Sequence, residues 1–257
     1  MLVNDLTLIE NAAREAGEIA KSHFKNDPQI WDKANNAGPV TQADLDVDFL
    51  LRDQLLAARP TYGWLSEETE DTSDRLSTDN VFIVDPIDGT RAFIEGAPHW
   101  AHSLAIVKKG RVQSAVVFLP ILDLMFTASF NGGAFLNGRP ISVGDRQYTN
   151  GADILSSKSN FNDEFWPGGF PNLKRSFRSS LAYRLCLVAN GDFDGMLTLR
   201  PTWEWDVAAG CLIINEAGGL ATNQIGQEII FNSPVGQING IVASNSKIHA
   251  GLMTGLR

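Results

Sequence analysis

A short apolar run, Val81-Phe82-Ile83-Val84, ends directly on an acid, Asp85, and this junction narrows the possible folds more than any other segment. β-branched and aromatic residues favour strands, and a brief apolar run bounded by polar residues reads as a buried strand. Asp85 then marks the strand's C-terminal end and opens Asp85-Pro86-Ile87-Asp88-Gly89-Thr90. Pro86 fixes φ and lacks an N–H, while Gly89 tolerates backbone angles and close approaches closed to other residues. Such a turn can aim two carboxylates at one point.

Two carboxylates on one turn repel unless a cation lies between them, and magnesium prefers hard oxygen ligands in octahedral geometry at about 2.0–2.1 Å. The same spacing also serves as an Asx-type turn closing a strand, so the segment alone leaves both readings open. Further acids follow short apolar or aromatic segments elsewhere: Glu67-Glu68 after Gly63-Trp64-Leu65, and Asp206 after Trp203-Glu204-Trp205. Asp206 precedes a helical pattern from Val207 to Glu216, and capping that helix is as open a role for it as metal binding.

Around these acids the periodicity is regular. Leu8, Ile9, Ala12, Ala13, Ala16, Ile19, Ala20 and Phe24 recur at helical spacing and predict an amphipathic opening helix. Beyond Gly38-Pro39, the positions Val47, Leu50, Leu51, Gln54 and Leu55 predict a second helix, with Thr41 or a neighbour as cap and Asp44 near its beginning. Leu104 to Val107, Val112 to Phe118 and Leu124 to Ser129 are strand-like runs separated by Lys109-Gly110 and by Pro120 with Asp123, which predicts an antiparallel meander. Asn137-Gly138-Arg139-Pro140 reads as a turn cluster and a subdomain boundary, dividing the chain into 1–140 and 141–257. In the second part strand-like and helix-like pieces alternate, with helices over Leu181 to Val188 and Val207 to Glu216, the latter stopped by Gly218-Gly219.

A hydrophobic fraction of 44% and a charged fraction of 20% exclude the composition of disordered chains. The net charge of -9 repels phosphate backbones and anionic membranes, so neither direct nucleic-acid binding nor membrane binding is expected. An acidic protein that handles a phosphorylated substrate must therefore reverse its field locally, with a basic pocket or bound divalent cations. Cys186 and Cys211 lie in apolar stretches without metal-type spacing and read as buried, reduced thiols. Asp5, Glu10 and Glu15 argue against a secretory leader, and no apolar run reaches the ~18 residues of a membrane span, which leaves a cytoplasmic location as the expectation.

Taken together, Glu67-Glu68, the Asp85 to Thr90 segment and Trp205-Asp206-Val207-Ala208-Ala209-Gly210 resemble the inositol monophosphatase superfamily in order and separation, over nearly the whole chain. The resemblance implies an α+β fold, a layered αβαβα sandwich, usually a homodimer, with a Mg2+-dependent, lithium-sensitive phosphatase site for a small phosphorylated metabolite. Residues 1–140 would carry most of the metal ligands, and 141–257 would carry Asp206 and the specificity residues. Glu67, Asp85 and the carbonyl of Ile87 match the family's ligands for a first metal; Asp85, Asp88 and Asp206 match those for a second, and a weaker third ion would lie near Glu67. Thr90 and Asp44 match the pair that orients and helps deprotonate the attacking water, so that Asp44, Thr90 and Glu67 are the implied catalytic residues. Two metals about 3.5–4 Å apart can clamp the attacking and leaving oxygens of a displacement. A helix starting near Gly89-Thr90 would turn free N–H groups toward phosphate. Lys33 resembles a basic residue beside the family's site, which implies a contact with substrate or a metal-bound water, and a solvated surface lysine is the alternative; His99 and His102 read as structural because the family mechanism uses no histidine there.

Substrate choice is expected to come from the second part. Ser179-Ser180-Leu181-Ala182-Tyr183 stands where the family has a glycine-serine-x-alanine substrate loop, and Ser179 adds a side chain where backbone usually approaches the substrate. Inositol-specific members carry a glutamate ahead of the tryptophan-aspartate pair, where this chain has Leu199-Arg200. Pro201-Thr202-Trp203-Glu204-Trp205-Asp206 resembles a segment of bacterial 3′(2′),5′-bisphosphate nucleotidases, and Arg200 is suited to a second phosphate. An inositol-phosphate-type phosphatase is thus the family-level expectation. Adenosine bisphosphate and histidinol phosphate are alternative substrates, and an accessory role in the transcription machinery, known among bacterial relatives, is an alternative of another class.

Overall fold

A computed structural model of the chain describes residues 3–26, 29–33 and 38–256. Helices α1 (Asp5–His23) and α2 (Gln42–Ala58) flank a small antiparallel hairpin of β1 (Ile30–Asp32) and β2 (Pro39–Thr41). A seven-stranded sheet follows in sequence order: β3 (Gly63–Ser66), β4 (Asn80–Asp88), β5 (Ala101–Lys108), β6 (Arg111–Leu119), β7 (Leu124–Ser129), β8 (Gly133–Leu136) and β9 (Arg139–Pro140). Only β3 and β4 pair in parallel; the rest is the predicted meander, extended by two strands. The turn cluster at Asn137-Gly138, with φ of 48° and 75°, is the tight link between β8 and β9.

The second sheet has the order β11-β10-β12-β14-β13, formed by β10 (Ala152–Leu155), β11 (Leu173–Ser176), β12 (Gly195–Trp203), β13 (Leu220–Thr222) and β14 (Gln237–Ser244). The remaining helices are α3 (Thr90–Ile94), α4 (Leu181–Ala189), α5 (Glu204–Glu216) and α6 (Ser246–Leu256).

The layers follow from which faces are apolar. Along β4, Phe82 and Val84 pack with Ile9, Ala13, Val47 and Leu51 of α1 and α2, while Val81 and Ile83 pack in a different core with α4 and α5. Period-2 alternation therefore buries both faces of this strand, in keeping with the buried strand expected there. Helices α4 and α5 are apolar all round because they lie between sheets: their core continues into Leu155, Met196, Ile241 and Ala243 of the second sheet. Leu197, Leu199 and Val242 of that sheet turn the other way, onto Ile248, Leu252 and Met253 of α6. The result is the αβαβα succession. Gly210 permits the closeness of α4 and α5, since a Cβ there would meet Leu185 at 2.5 Å.

Two local features differ from the sequence reading, and both bear on the acids. Strand β4 does not stop at Asp85 but runs on to Asp88, with a register shift against β5 between these residues. Pro86 is accommodated because the ladder is interrupted there. Helix α5 begins at Glu204 rather than Val207, with Trp203 in the N-cap position, so Asp206 lies within the first turn, where its carboxylate accepts the Trp203 amide. Acids at Glu204 and Asp206 suit the positive end of that helix. Cys186 and Cys211 are buried and free, as expected, and no helix among the described residues is long and apolar enough to cross a membrane.

Candidate active site

In a regular strand, Asp85 and Asp88 would face opposite sides, being an odd number of residues apart. The bulge corrects this and turns both toward the first turn of α5. One oxygen from each of Asp85, Asp88 and Asp206 lies within 4.8 Å of the others. The convergence is pinned from behind. Ser103, which pairs with Asp85 across the sheet, donates its hydroxyl to the Trp205 carbonyl at 2.9 Å. The Ser180 hydroxyl and the Ala182 amide, at the start of α4, both donate to Asp88 Oδ2 at 2.6 Å. His102 holds the bulge itself by donating from Nδ1 to the Pro86 carbonyl, and burial drives its pKa down to about 4.

Three enclosed carboxylates cannot all ionise comfortably. Burial, followed by repulsion from Glu67, Asp88 and Asp206, pushes Asp85 well above the usual carboxylate range. Burial raises Asp88 to about 6 against the opposing hydrogen bonds from Ser180 and Ala182, and burial with repulsion from Asp88 raises Asp206. Asp85 Oδ1 is buried without a hydrogen-bond partner. A divalent cation would cancel the repulsion and satisfy this orphaned oxygen, and an all-oxygen donor set suits Mg2+.

Glu67 follows β3, whose parallel pairing with β4 brings it to the same cleft. Lys33 Nζ donates to Glu67 Oε1 and Glu68 Oε1, each at 2.6 Å. Burial opposes the charge on Lys33, but Glu67 and Glu68 outweigh it and hold its pKa above the ordinary value. Burial and Glu67 raise Glu68 to about 7, with Lys33 pulling the other way. Lys33 is therefore a clamp on the acids and not one of the residues lining the cleft.

Asp44 occupies the third position of α2. Its Oδ2 accepts the Thr41 amide at 2.9 Å and the Thr41 hydroxyl at 2.6 Å, while its Oδ1 accepts the Thr90 hydroxyl at 3.1 Å. The Thr90 hydroxyl also faces the Ile87 carbonyl at 3.2 Å. Burial raises Asp44 to about 6, with the Thr41 hydrogen bonds opposing. Gly89, before the five-residue α3, has φ of 102°, a left-handed conformation that side chains rarely adopt, with the His99 carbonyl and the Ser180 amide close by.

The cleft has a volume of about 680 Å³. Glu67, Asp85, Ile87, Asp88, Gly89, Thr90 and Asp206 line it together with Ser157, Phe177, Ser179, Arg184 and Arg200. Ser179 and Arg200 are thus where the sequence expects substrate contacts. Ser180 is not: it is fully buried, caps α4 by accepting the Tyr183 amide at 2.9 Å, and its hydroxyl proton goes to Asp88. His99 stacks on Tyr183, with centroids 6.0 Å apart, in keeping with a structural role. Sequence reasoning missed Arg184. Its signal was present, since a lone arginine inside the otherwise apolar 181–189 helix requires a polar partner. Ser157 and Phe177 had no such local signal.

A five-layer fold whose helix ends and strand bulge gather carboxylates on one cleft, with arginines also on its wall, defines a class of α+β proteins with an acidic cleft between its layers. The inositol monophosphatase family model matches residues 3–257, and the chain belongs to that family. It is 39% identical over 199 residues to an inositol-1-monophosphatase of Rhizobium meliloti, covering 73% of each chain. It is 33% identical over 265 residues to the Nus factor SuhB of Pseudomonas aeruginosa, covering 97% of this chain and 94% of the relative. Among solved structures, the Thermotoga maritima IMPase superposes with a TM-score of 0.84 at 27% identity, covering 99% of this chain and 97% of that one.

Proposed function

We propose that the protein is a Mg2+-dependent phosphate monoester hydrolase of the inositol monophosphatase type, acting on a small phosphorylated metabolite. The observation that carries this reading is the buried, unpartnered Asp85 Oδ1 within a set of three carboxylates whose oxygens lie within 4.8 Å. Glu67, Asp85, Asp88, Asp206 and the Ile87 carbonyl are the groups that would hold the ions. Bound there, magnesium would make water a stronger nucleophile and offset charge on the phosphoryl oxygens.

The chain's own groups divide the remaining work. The Thr90 hydroxyl, set between Asp44 Oδ1 and the Ile87 carbonyl, can accept a proton from water while passing its own to Asp44. A carboxyl near 6 suits a general base close to neutral pH. Gly89 supplies the left-handed backbone that carries β4 into α3, and Lys33 fixes Glu67. In this reading residues 1–140 supply most of the ligands, and 141–257 supply Asp206 and the substrate contacts Ser179 and Arg200. A homodimer belongs to the same proposal, and light scattering tests it.

Relatives named inositol monophosphatases support an inositol phosphate at the family level. The test is phosphate release from inositol phosphates, adenosine bisphosphate, histidinol phosphate and sugar phosphates, with Mg2+, with added lithium and with excess chelator. Full turnover in chelator would end this reading. The Nus factor SuhB relatives favour a second one, an accessory role in transcription. Capture of transcription proteins by a variant lacking phosphatase activity would support it.

A further inference from the structure

Asp48 is an enclosed acid that the proposed chemistry leaves unused. It lies on α2 one turn after Asp44, so the two carboxylates share a face of the helix. Asp48 is buried, with 7% exposure, and no ion pair among the described residues includes it. A carboxylate in such a place is costly unless other donors satisfy it. Two hydroxyls do so, Ser66 donating to Oδ1 and Thr69 to Oδ2, each at 2.5 Å.

Those two hydroxyls bracket Glu67-Glu68. Along β3 the side chains alternate, with Trp64 packing against the core of α1 and α2 and Leu65 joining that of α4 and α5. Ser66 accordingly faces α2, where Asp48 meets it, and Glu67 faces the cleft and the field of Asp206. The Glu67 amide donates to the Val84 carbonyl at 3.3 Å, and beyond it the chain bends away from the sheet. The Thr69 hydroxyl ties this bend back, accepting the Trp64 indole N–H at 3.3 Å while donating to Asp48. Lys33 holds the carboxylates of Glu67 and Glu68 themselves, whereas Asp48 holds the chain on either side of them. A slip of one residue here would turn Glu67 from the cleft to the helix.

We propose that Asp48 is a positioning residue of the site: through Ser66 and Thr69 it fixes the segment that presents Glu67. Helix α2 then sets a metal ligand and the Asp44–Thr90 pair against each other from a single face. This rests on the reading of Glu67 as a ligand for Mg2+. A carboxylate suits the task because it accepts both hydroxyls at once, in charge-assisted bonds stronger than neutral ones.

Mg2+ titration calorimetry of the full chain, well below every variant's melting temperature, tests the proposal. Asp48→Ala and the Ser66→Ala/Thr69→Ala pair should each weaken Mg2+ binding about tenfold or more, the scale on which partners behind metal ligands act. All three changes together should weaken it no further, because the groups work as one unit. A purely structural Asp48 predicts instead a lower melting temperature with Mg2+ affinity kept. Thr69 is only half-buried, so Thr69→Ala decides the matter even where Asp48→Ala fails to fold. It should weaken Mg2+ binding, and Thr69→Ser, which keeps the hydroxyl, should restore it. Parental Mg2+ affinity in Thr69→Ala overturns this proposal and leaves the metal reading standing; a parent protein that binds no Mg2+ overturns both.

Discussion

At Asp44 the two carboxylate oxygens serve different partners, Oδ2 closing the first turn of α2 on Thr41 and Oδ1 taking the Thr90 hydroxyl. The contact that closes the helix and the contact that meets Thr90 thus belong to two ends of one group, and the proposed dyad uses the second. Thr90→Ala, Asp44→Asn and the double variant should therefore lose turnover to a similar extent, because groups acting as one unit give non-additive effects. Asp44→Asn should in addition lose about 1 kcal/mol of stability with its cap, a loss that Thr90→Ala escapes. Steady-state kinetics at saturating Mg2+, paired with thermal melts, measure both. Wild-type turnover in Thr90→Ala would leave Asp44 as a cap alone. Asp206→Asn should nearly abolish turnover and weaken Mg2+ binding, yet in chelator it should melt no lower than the parent, since it removes one of three crowded like charges. A large drop in its chelator melting temperature would show that Asp206 is chiefly structural.

At the scale of elements, the first turn of α5 is held by a network that never touches the cleft. Glu204 accepts the Asn232 amide at 2.6 Å and the Ser233 amide at 2.9 Å. Arg75, itself buried, donates to Asn232 Oδ1 at 2.6 Å and to the Ser233 carbonyl at 3.0 Å, and it grips Asp71 through both carboxylate oxygens at 2.9 and 2.7 Å. The segment just beyond Glu67-Glu68 is thereby tied to the helix that presents Asp206. Glu204→Ala leaves two amides unsatisfied and should cost about 1–3 kcal/mol. It should also lower Mg2+ affinity, because the third carboxylate loses its fixed place. Denaturation and calorimetry together check this; a lower melting temperature with unchanged Mg2+ affinity would mean that the bulge and Ser103 suffice to place Asp206.

For the whole molecule, a protein of net charge -9 concentrates raised carboxyl groups between its sheets. Asp85 and Asp206 are raised well above the ordinary range, and Glu68 is raised to about 7. Near neutral pH the native state thus binds protons that the unfolded chain has released, and metal-free stability falls as pH rises through this window. Burial lowers His102 to about 4 and also lowers His99; these act in the opposite sense, but below the ordinary histidine pKa and so largely beneath the window. The metal-free protein should accordingly melt higher at about pH 6.5 than at about pH 8. Mg2+ should raise the melting temperature more at the higher pH, because the ion binds the ionised cluster. Melting scans with chelator and with Mg2+ provide the measurement, and a metal-free melting temperature that climbs over this range would contradict it.

What the sequence by itself determined is what short-range forces govern. The Val81 to Val84 run, the Pro86 and Gly89 signals, the helical spacing of Leu8 to Phe24 and the glycine stop after Glu216 all act within a few residues, and each was legible. The acids of the candidate site were legible as well, since carboxylates beside element ends stand out locally. The bulge was not, because it arises from pairing with β5, and neither was the start of α5 at Glu204, where contacts with residues 232–236 extend the helix. The inward turn of Ser180 toward Asp88, 92 residues away, and the burial of Arg184 on the cleft wall were likewise settled only in three dimensions. Sheet register and the stacking of layers join residues that no local pattern connects, and that joining turns separate acids and arginines into one cleft.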